Sequence, residues 1–107
     1  MTIEQYAVVL VNLDPALGSE VQKTRPCVVI SPNEMNRQLN TIVVAPMTST
    51  SRPYPSRVSV VSGGKKSWVM LDQVRTIDRM RVVKVFSSLV VDEIDAIKQV
   101  IKELYVD

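Results

Sequence analysis

Short apolar runs alternate along the chain with polar stretches, prolines and glycines. Runs rich in Val, Ile and other β-formers predict strands, and they cover Tyr6–Leu13, Cys27–Ile30, Thr41–Ala45, Val58–Val61, Ser67–Leu71 and Arg81–Phe86. Asp72–Ile77 is predicted to continue the fifth of these strands, and Gly63-Gly64 to form the turn before it. Short strands at close spacing with turn signals between them indicate a small barrel or sandwich.

The last part of the chain has a helical period instead. Ile94, Ile97, Ile101 and Leu104 are spaced so that they form one apolar stripe of a helix. Acidic residues occupy the first turns and lysines the later ones, which complements the helix dipole. The pattern therefore predicts a mainly β fold with a C-terminal α-helix that packs on the barrel.

Two prolines are predicted to mark element boundaries. Ser31 can cap a short helix whose first position is Pro32, and Glu34 completes a capping box. Pro46 is predicted to end the third strand, and residues 47–55 to form a loop rich in hydroxyls and proline.

Length and composition set bounds on the kind of protein. A chain of 107 residues fits a single domain, 1–107, with one core. Apolar runs fall well short of the ~20 residues of a membrane span, and no signal-peptide pattern is visible. The single cysteine cannot form an internal disulfide, which fits a reducing compartment. We therefore expect a cytoplasmic protein without membrane attachment.

The chain contains no histidine, which is the commonest general base and metal ligand. With one cysteine and no dense carboxylate cluster, no metal site and no cofactor are predicted. Any catalysis must rely on Arg, Lys, Asp, Glu, Ser, Thr or Tyr. Cys27 and Trp68 both lie within apolar runs and are predicted to be core residues.

Charge is distributed unevenly along the chain. Residues 52–84 carry eight basic and two acidic residues, whereas residues 89–107 carry two basic and five acidic ones. A basic middle suggests a polyanion partner, although a solvated surface is the alternative on charge alone. The candidate phosphate contacts are Arg52, Arg57, Lys65, Lys66, Arg75, Arg79 and Arg81.

Several polar residues stand at the ends of predicted strands, where loops of a small barrel converge. The candidates are Ser19, Glu20, Arg25, Thr48, Asp72 and Gln73. An arginine, hydroxyls and a carboxylate could together bind and cleave a phosphodiester. Each also has a structural interpretation: Arg25 could pair with Glu20 or Asp72, and the others could satisfy loop backbone groups.

Five segments in this order and spacing resemble the MazF/PemK/Kid toxins, and they read VNLDPALGSE, KTRPCVVISPNEMNR, APMTST, YPSRV and LDQVRTIDR. The resemblance implies a compact SH3-like barrel of the MazF/PemK/CcdB type and a homodimer. It also implies a sequence-specific, ribosome-independent endoribonuclease that cuts single-stranded mRNA and is held inactive by a cognate antitoxin. Cleavage would proceed by 2′-hydroxyl attack without metal, leaving 2′,3′-cyclic phosphate and 5′-hydroxyl ends.

The resemblance also suggests roles for individual residues. Arg25 matches the catalytic arginine, and Thr48 matches the threonine that works with it. Pro26 biases its predecessor toward an extended backbone and so helps to aim Arg25. Asp72 matches a carboxylate that the Kid branch uses.

Some positions depart from the family pattern. Ser19 stands where the Kid branch has a histidine, and Met70 where it has another arginine, so the general base stays unassigned. Many members begin with an Arg-Gly-Asp turn, where this chain has IEQYAVVLV.

Two other functions remain open on sequence. One is a toxin like CcdB, which has a similar fold and poisons DNA gyrase without cutting nucleic acid. Such chains rely on a C-terminal Trp-Gly-Ile, whereas this chain ends in LYVD. The other is a non-catalytic barrel that binds RNA or an antitoxin, against which the presence of Arg25 and Thr48 argues.

Overall fold

The computed structural model describes residues 2–12 and 24–106. Within these residues the strands are β1 Ala7–Asn12, β2 Thr24–Val29, β3 Thr41–Thr48, β4 Arg57–Ser62, β5 Lys65–Met70, β6 Arg75–Asp78 and β7 Val82–Ser88. The helices are α1 Asn33–Gln38 and α2 Val91–Ile101. Single 3-10 turns span Leu71–Gln73 and Arg79–Arg81, and a π-helical turn, Lys102–Val106, follows α2.

The strands form one antiparallel, half-barrel sheet in the order β4-β5-β3-β2-β1-β7, and β6 also pairs with β3. β3 is the branching strand: its first half, Thr41–Val44, pairs with β6, and its last two residues, Met47 and Thr48, pair with β5. The predicted mainly β fold with a C-terminal helix is confirmed. No helix in the described part of the chain is long and apolar enough to cross a membrane.

Successive residues of β1, β2 and β3 are buried on opposite faces of the sheet, so the molecule has two cores. Val8, Val28 and Ile97 belong to a first core, which α2 and the β4–β5 hairpin cover. Val9 and Cys27 belong to a second core on the other face, which β6 and β7 help to close. Burial on both faces explains why these strands read as unbroken apolar runs.

Pro46 lies inside β3, so the prediction that it ends this strand is wrong. The N–H and the C=O of Val43 both face β2 and the residues that follow β2. The C=O accepts from the Ile30 N–H, and the N–H donates to the Ser31 hydroxyl. Backbone groups alternate in direction along a strand, so Pro46 faces the opposite edge. There it lies between the segment that pairs with β6 and the segment that pairs with β5. Its missing N–H therefore falls where no neighbouring strand requires a donor.

Ser31 does not cap α1, which begins at Asn33 with Pro32 at the N-cap and no side-chain cap bond. The Ser31 hydroxyl is buried instead, where it donates to Asn36 Oδ1 at 2.5 Å and accepts from the Val43 N–H at 3.0 Å. The expected short helix is present, but this serine links it to β3 rather than starting it.

The apolar stripe of α2 ends one turn earlier than its period predicts. Ile94, Ile97 and Ile101 pack on the first core, whereas Leu104 is 43% exposed in the π-helical turn. The Tyr105 hydroxyl in that turn donates to the Leu71 carbonyl. At the other end of the helix, the Glu93 carboxylate accepts from the Val90 N–H and from the Val61 N–H of the edge strand β4.

Positive φ angles occur at two places next to the strands. Gly63 and Gly64 have φ of 59° and 77°, as a two-residue hairpin turn with positive φ at both positions requires. Before β1, Tyr6 adopts φ of 67°, and its N–H donates to the Val29 carbonyl at 2.7 Å. The chain thus enters the sheet through a left-handed residue, held by the neighbouring strand.

Candidate functional site

Arg25 and Thr48 lie on neighbouring strands and project from the same face of the sheet. The β2–β3 register places Cys27 opposite Pro46. Extending it by two residues brings Arg25 opposite Thr48, and directly opposite residues share a face. Pairing with β1 places Val11 on the other side of Arg25. The segments TRP and APMT thus lie at the start of β2 and the end of β3, beside the pairs that join the two strands.

An open cavity of about 280 Å³ lies at this end of the sheet. Its lining residues are Thr24, Arg25, Pro26, Met47, Thr48, Ser49 and Ser67. The two residues identified as catalytic candidates thus share a single concave surface. Ser49, which follows β3 as the sequence indicates, adds a hydroxyl. Thr24 and Ser67 add two more that the sequence pattern did not identify; only the alternation of side chains along β2 and β5 could have indicated them.

Arg25 is exposed, and no described side chain accepts a hydrogen bond from its guanidinium. The proposed pairing with Asp72 is wrong, because the carboxylate of Asp72 is bound by Arg57. The other suggested partner, Glu20, lies outside the described residues, as does Ser19. Within residues 2–12 and 24–106, Arg25 is thus a cation directed at the cavity with its donors available.

The Thr48 hydroxyl takes part in a local turn. It donates to the Thr50 carbonyl at 3.0 Å and accepts from the Thr50 N–H at 3.3 Å. This is the turn contact that the structural interpretation anticipates. A hydroxyl rotates easily and has two acceptor lone pairs, so the same group can also reach a ligand in the cavity.

Asp72 lies on the 3-10 turn after β5 and binds Arg57 rather than the cavity. Arg57 donates from Nε and Nη2 to the two carboxylate oxygens at 3.3 and 3.4 Å, and from Nη1 to the Ser51 hydroxyl at 2.9 Å. The Arg57 guanidinium also lies 5.1 Å from the centroid of the Tyr54 ring. These contacts tie the loop after β3 to the end of β5. Neither Asp72 nor its exposed neighbour Gln73 lines the 280 Å³ cavity.

Two opposing effects act on the Asp72 carboxyl. Partial burial works to raise its pKa, but hydrogen bonds from Arg57, its own N–H and Ser56, with the Arg57 charge, outweigh burial. The pKa of Asp72 is therefore lowered from its ordinary value. A carboxylate with a lowered pKa is ionised at neutral pH and is a weak proton acceptor.

The candidate phosphate contacts divide into two groups by their partners. The guanidinium groups of Arg57, Arg79 and Arg81 are engaged: Arg79 donates to the Asn36 carbonyl at the end of α1, and Arg81 donates to the Asn12 carbonyl at 3.2 Å. For the rest, no hydrogen bond to a described side chain or carbonyl is found, and these residues are Arg52, Lys65, Lys66 and Arg75. Sequence composition cannot make this division, because it depends on long-range contacts.

The two residues predicted to be core differ in the structure. Cys27 is completely buried, as predicted, and burial raises the pKa of its thiol to about 11 against a smaller opposite effect of Arg25 and Arg75. Such a thiol stays protonated and inert at neutral pH. Trp68 belongs to neither core and is only half-buried, so the core prediction is wrong for it.

No group of three or more His, Cys, Asp or Glu residues within the described part of the chain could hold a metal ion. The donor set of the cavity consists of hydroxyls and one guanidinium, which are groups that bind anions rather than cations.

Comparisons with known proteins agree with this geometry. The chain is 41% identical over 68 residues to the endoribonuclease toxin MazF of Escherichia coli strain K12, covering 63% of this chain and 60% of that relative. It is 38% identical over 81 residues to the endoribonuclease PemK of Escherichia coli, covering 71% of this chain and 61% of that relative. The matches thus span about three fifths of the length of these curated relatives.

A solved structure of MazE-MazF from Deinococcus radiodurans superposes with a TM-score of 0.78 at 25% identity, over 97% of this chain and 93% of that chain. A family model described as PemK-like, MazF-like toxin of type II toxin-antitoxin system matches residues 4–105. The chain therefore belongs to the PemK-like, MazF-like toxins of type II toxin–antitoxin systems.

Proposed function

We propose that this protein is the toxin of a type II toxin–antitoxin system, a sequence-specific, ribosome-independent endoribonuclease that cleaves single-stranded mRNA. The observation that carries the proposal is the placement of Arg25 and Thr48 at one cavity and on one face of the sheet. Family membership over residues 4–105, and the endoribonuclease activity for which the MazF and PemK relatives are named, support the same activity.

The proposed chemistry is a transesterification at a phosphodiester. The 2′-oxygen forms a bond to phosphorus, the bond from phosphorus to the 5′-oxygen breaks, and the products are a 2′,3′-cyclic phosphate and a 5′-hydroxyl. The 2′-hydroxyl proton passes to a base, and the departing 5′-oxygen gains a proton. Arg25 donates two parallel hydrogen bonds to the phosphoryl oxygens as their charge redistributes. Thr48 donates a third hydrogen bond once its hydroxyl rotates away from Thr50.

Asp72 suits a structural role better than that of general base. Its lowered pKa makes it a weak proton acceptor, and its two oxygens already bind Arg57. We therefore assign Asp72 to positioning the loop after β3, next to the cavity. Gln73, Ser19 and Glu20 remain candidates for substrate contacts, and the base stays open among the groups near the cavity.

The partners follow from the family and from the charge of the surface. We propose a cytoplasmic homodimer that a cognate antitoxin inhibits, since the family description is that of a toxin–antitoxin toxin. The basic residues that make no hydrogen bond to a described group, namely Arg52, Lys65, Lys66 and Arg75, are the proposed contacts for RNA phosphates. In sedimentation at micromolar concentration the homodimer should be the main species; a 12.0 kDa species alone would exclude it.

The decisive experiment incubates the purified protein with a long single-stranded RNA in EDTA and maps the cut sites. We expect cleavage at a recurring short sequence, with 5′ ends that polynucleotide kinase labels without prior phosphatase treatment. The Arg25→Ala variant prepared in parallel controls for contaminating nucleases. Intact RNA, or cleavage that requires added Mg²⁺, would refute the proposed activity.

A further inference from the structure

Trp68 continues the row of residues that contains Arg25 and Thr48. In the β3–β5 pairing it lies directly opposite Thr48, so the two side chains project from the same face with Cβ atoms about 4.5–5.5 Å apart. Arg25, Thr48 and Trp68 thus occupy successive strands β2, β3 and β5 across one face. Neighbouring strands are roughly 4.8 Å apart, so a short extended segment of a nucleic acid strand can contact all three.

The surroundings of Trp68 are solvent-facing and basic. Its cross-strand neighbour on β4, Ser59, is exposed, as is Lys66 on its own strand. The Lys66 ammonium lies 5.0 Å from the centroid of the indole ring. A large apolar ring that is half-buried outside both cores contributes little to folding compared with a core position, and it presents a π-face beside cations.

This combination suits one class of ligand. Proteins bind single-stranded nucleic acid by stacking unpaired bases on aromatic rings beside basic residues that follow the backbone. Resting on the function proposed above, we propose that Trp68 is the stacking platform for an unpaired RNA base next to the phosphodiester held by Arg25 and Thr48. In the free protein the Lys66 side chain covers the ring; when RNA binds, the base takes that position and the ammonium moves to a phosphate.

Trp68 is the only tryptophan of the chain, so its fluorescence reports on this position alone. The probe is a set of short 2′-O-methyl RNA oligonucleotides of random sequence, which lack the nucleophilic hydroxyl and so stay intact with the wild-type protein. Binding is followed by the anisotropy of a label on the RNA and, separately, by quenching of the Trp68 emission. The two readouts separate binding itself from stacking.

Three variants complete the design. Trp68→Ala should weaken RNA binding by about 5- to 150-fold, whereas Trp68→Phe should retain most of the affinity. Phe86→Ala is the matched control, because Phe86 also has a lysine over its ring, Lys84 at 5.2 Å, but lines a different cavity from the one that Arg25 and Thr48 line. It should bind RNA as the wild type does. Melting curves show that each variant is folded.

The outcomes are distinct. Anisotropy that rises while Trp68 emission is unchanged, or equal affinity of Trp68→Ala and Phe86→Ala, would refute stacking and leave the proposed nuclease intact. No rise in anisotropy at any protein concentration would refute both. Trp68 emission that changes with protein concentration in the absence of RNA would show that a second copy covers the ring, and would also overturn the proposal.

Discussion

Two arginines of the sheet, Arg57 on β4 and Arg25 on β2, differ in what their side chains contact. The guanidinium of Arg57 makes three kinds of contact: it pairs with Asp72, donates to the Ser51 hydroxyl and lies over the Tyr54 ring. Arg25 lines the cavity and donates to no described side chain. Arg57 is the first residue of β4 and Arg25 the second of β2, so each lies at the start of a strand.

The difference shows that availability, rather than charge, identifies a candidate anion-binding residue. A guanidinium that is already satisfied stabilises a loop, and removing it costs folding free energy. A guanidinium that is held in place by its backbone but lacks a partner can bind a ligand, and its removal costs activity. The two positions therefore predict opposite results in two measurements.

Arg25→Ala should have the largest effect. Loss of a preorganised charged donor typically lowers a rate by about 10²–10³-fold, and here the free energy of unfolding should hardly change because the guanidinium makes no hydrogen bond to a residue within 2–12 and 24–106. Arg25→Lys should restore little activity, since an ammonium keeps the charge but not the paired donors. Cleavage rate and melting temperature measured on the same preparation test both parts. A folded, fully active Arg25→Ala protein would contradict the catalytic assignment.

Lys65 and Lys66, which make no hydrogen bond to a described group, should account for part of the salt dependence of RNA binding. Each lost phosphate contact lowers the slope of log K against log salt by roughly 0.7 for a single strand. The double variant Lys65→Ala/Lys66→Ala should therefore bind with a slope smaller by about 1.4. Arg79→Ala is the matched control: its guanidinium is bonded to the end of α1, so it should lower stability and leave the slope unchanged. Equal slopes for both variants would contradict the division of the basic residues.

Arg57→Ala should show the reverse of Arg25→Ala. Losing a largely buried guanidinium that holds the Asp72 turn and the Ser51 loop together should cost about 1 kcal/mol. That corresponds to a fall in melting temperature of roughly 4–8 °C for a domain of this size. The cleavage rate measured well below the melting temperature should stay within a few-fold of wild type. A loss of activity as large as that of Arg25→Ala at unchanged stability would place Arg57 in the site.

Asp72→Asn should have the smallest effect, and one that depends on pH. The folded-state pKa of Asp72 is lowered, so its stabilising contribution is present above the unfolded pKa of about 3.9 and is lost as pH falls through the folded value. Wild type should thus melt higher than Asp72→Asn near pH 7, and the two should converge in acid. A difference in melting temperature that persists below the folded pKa would show that the carboxylate charge is not the cause.

Sequence patterns predicted the strands because both faces of β1, β2 and β3 are buried, which leaves long apolar runs. They did not predict the extent of β3, because a proline usually ends a strand. Only the pairing shows that no neighbouring strand requires a backbone N–H at Pro46. They also misjudged Trp68, because a tryptophan in an apolar run looks the same whether or not another element covers it. In this sheet Trp68 lies outside both cores, and its side chain is only half-buried.

Roles for individual residues of the candidate site were predicted only from the resemblance to the MazF/PemK/Kid toxins. Arg25 and Thr48 lie 23 positions apart, and only the β2–β3 register brings them together. The Arg57–Asp72 pair was missed, because it forms across the β4–β5 hairpin between residues 15 positions apart. Charge and hydropathy carry no information about such contacts.

The position of Pro46 has a consequence for how the molecule opens. Because the proline interrupts the outer edge of β3, the β4–β5 hairpin joins the rest of the sheet through only two opposed pairs, Met47 with Val69 and Thr48 with Trp68. The β1–β2 ladder has five. The β3–β5 pairing should therefore open at a lower free energy than the β1–β2 pairing. Backbone amides of the hairpin should then exchange with solvent deuterium faster than those of β1 and β2. Trp68 then lies on a unit whose opening exposes the first core, which the hairpin helps to cover, while the second core contains no residue of the hairpin and stays folded.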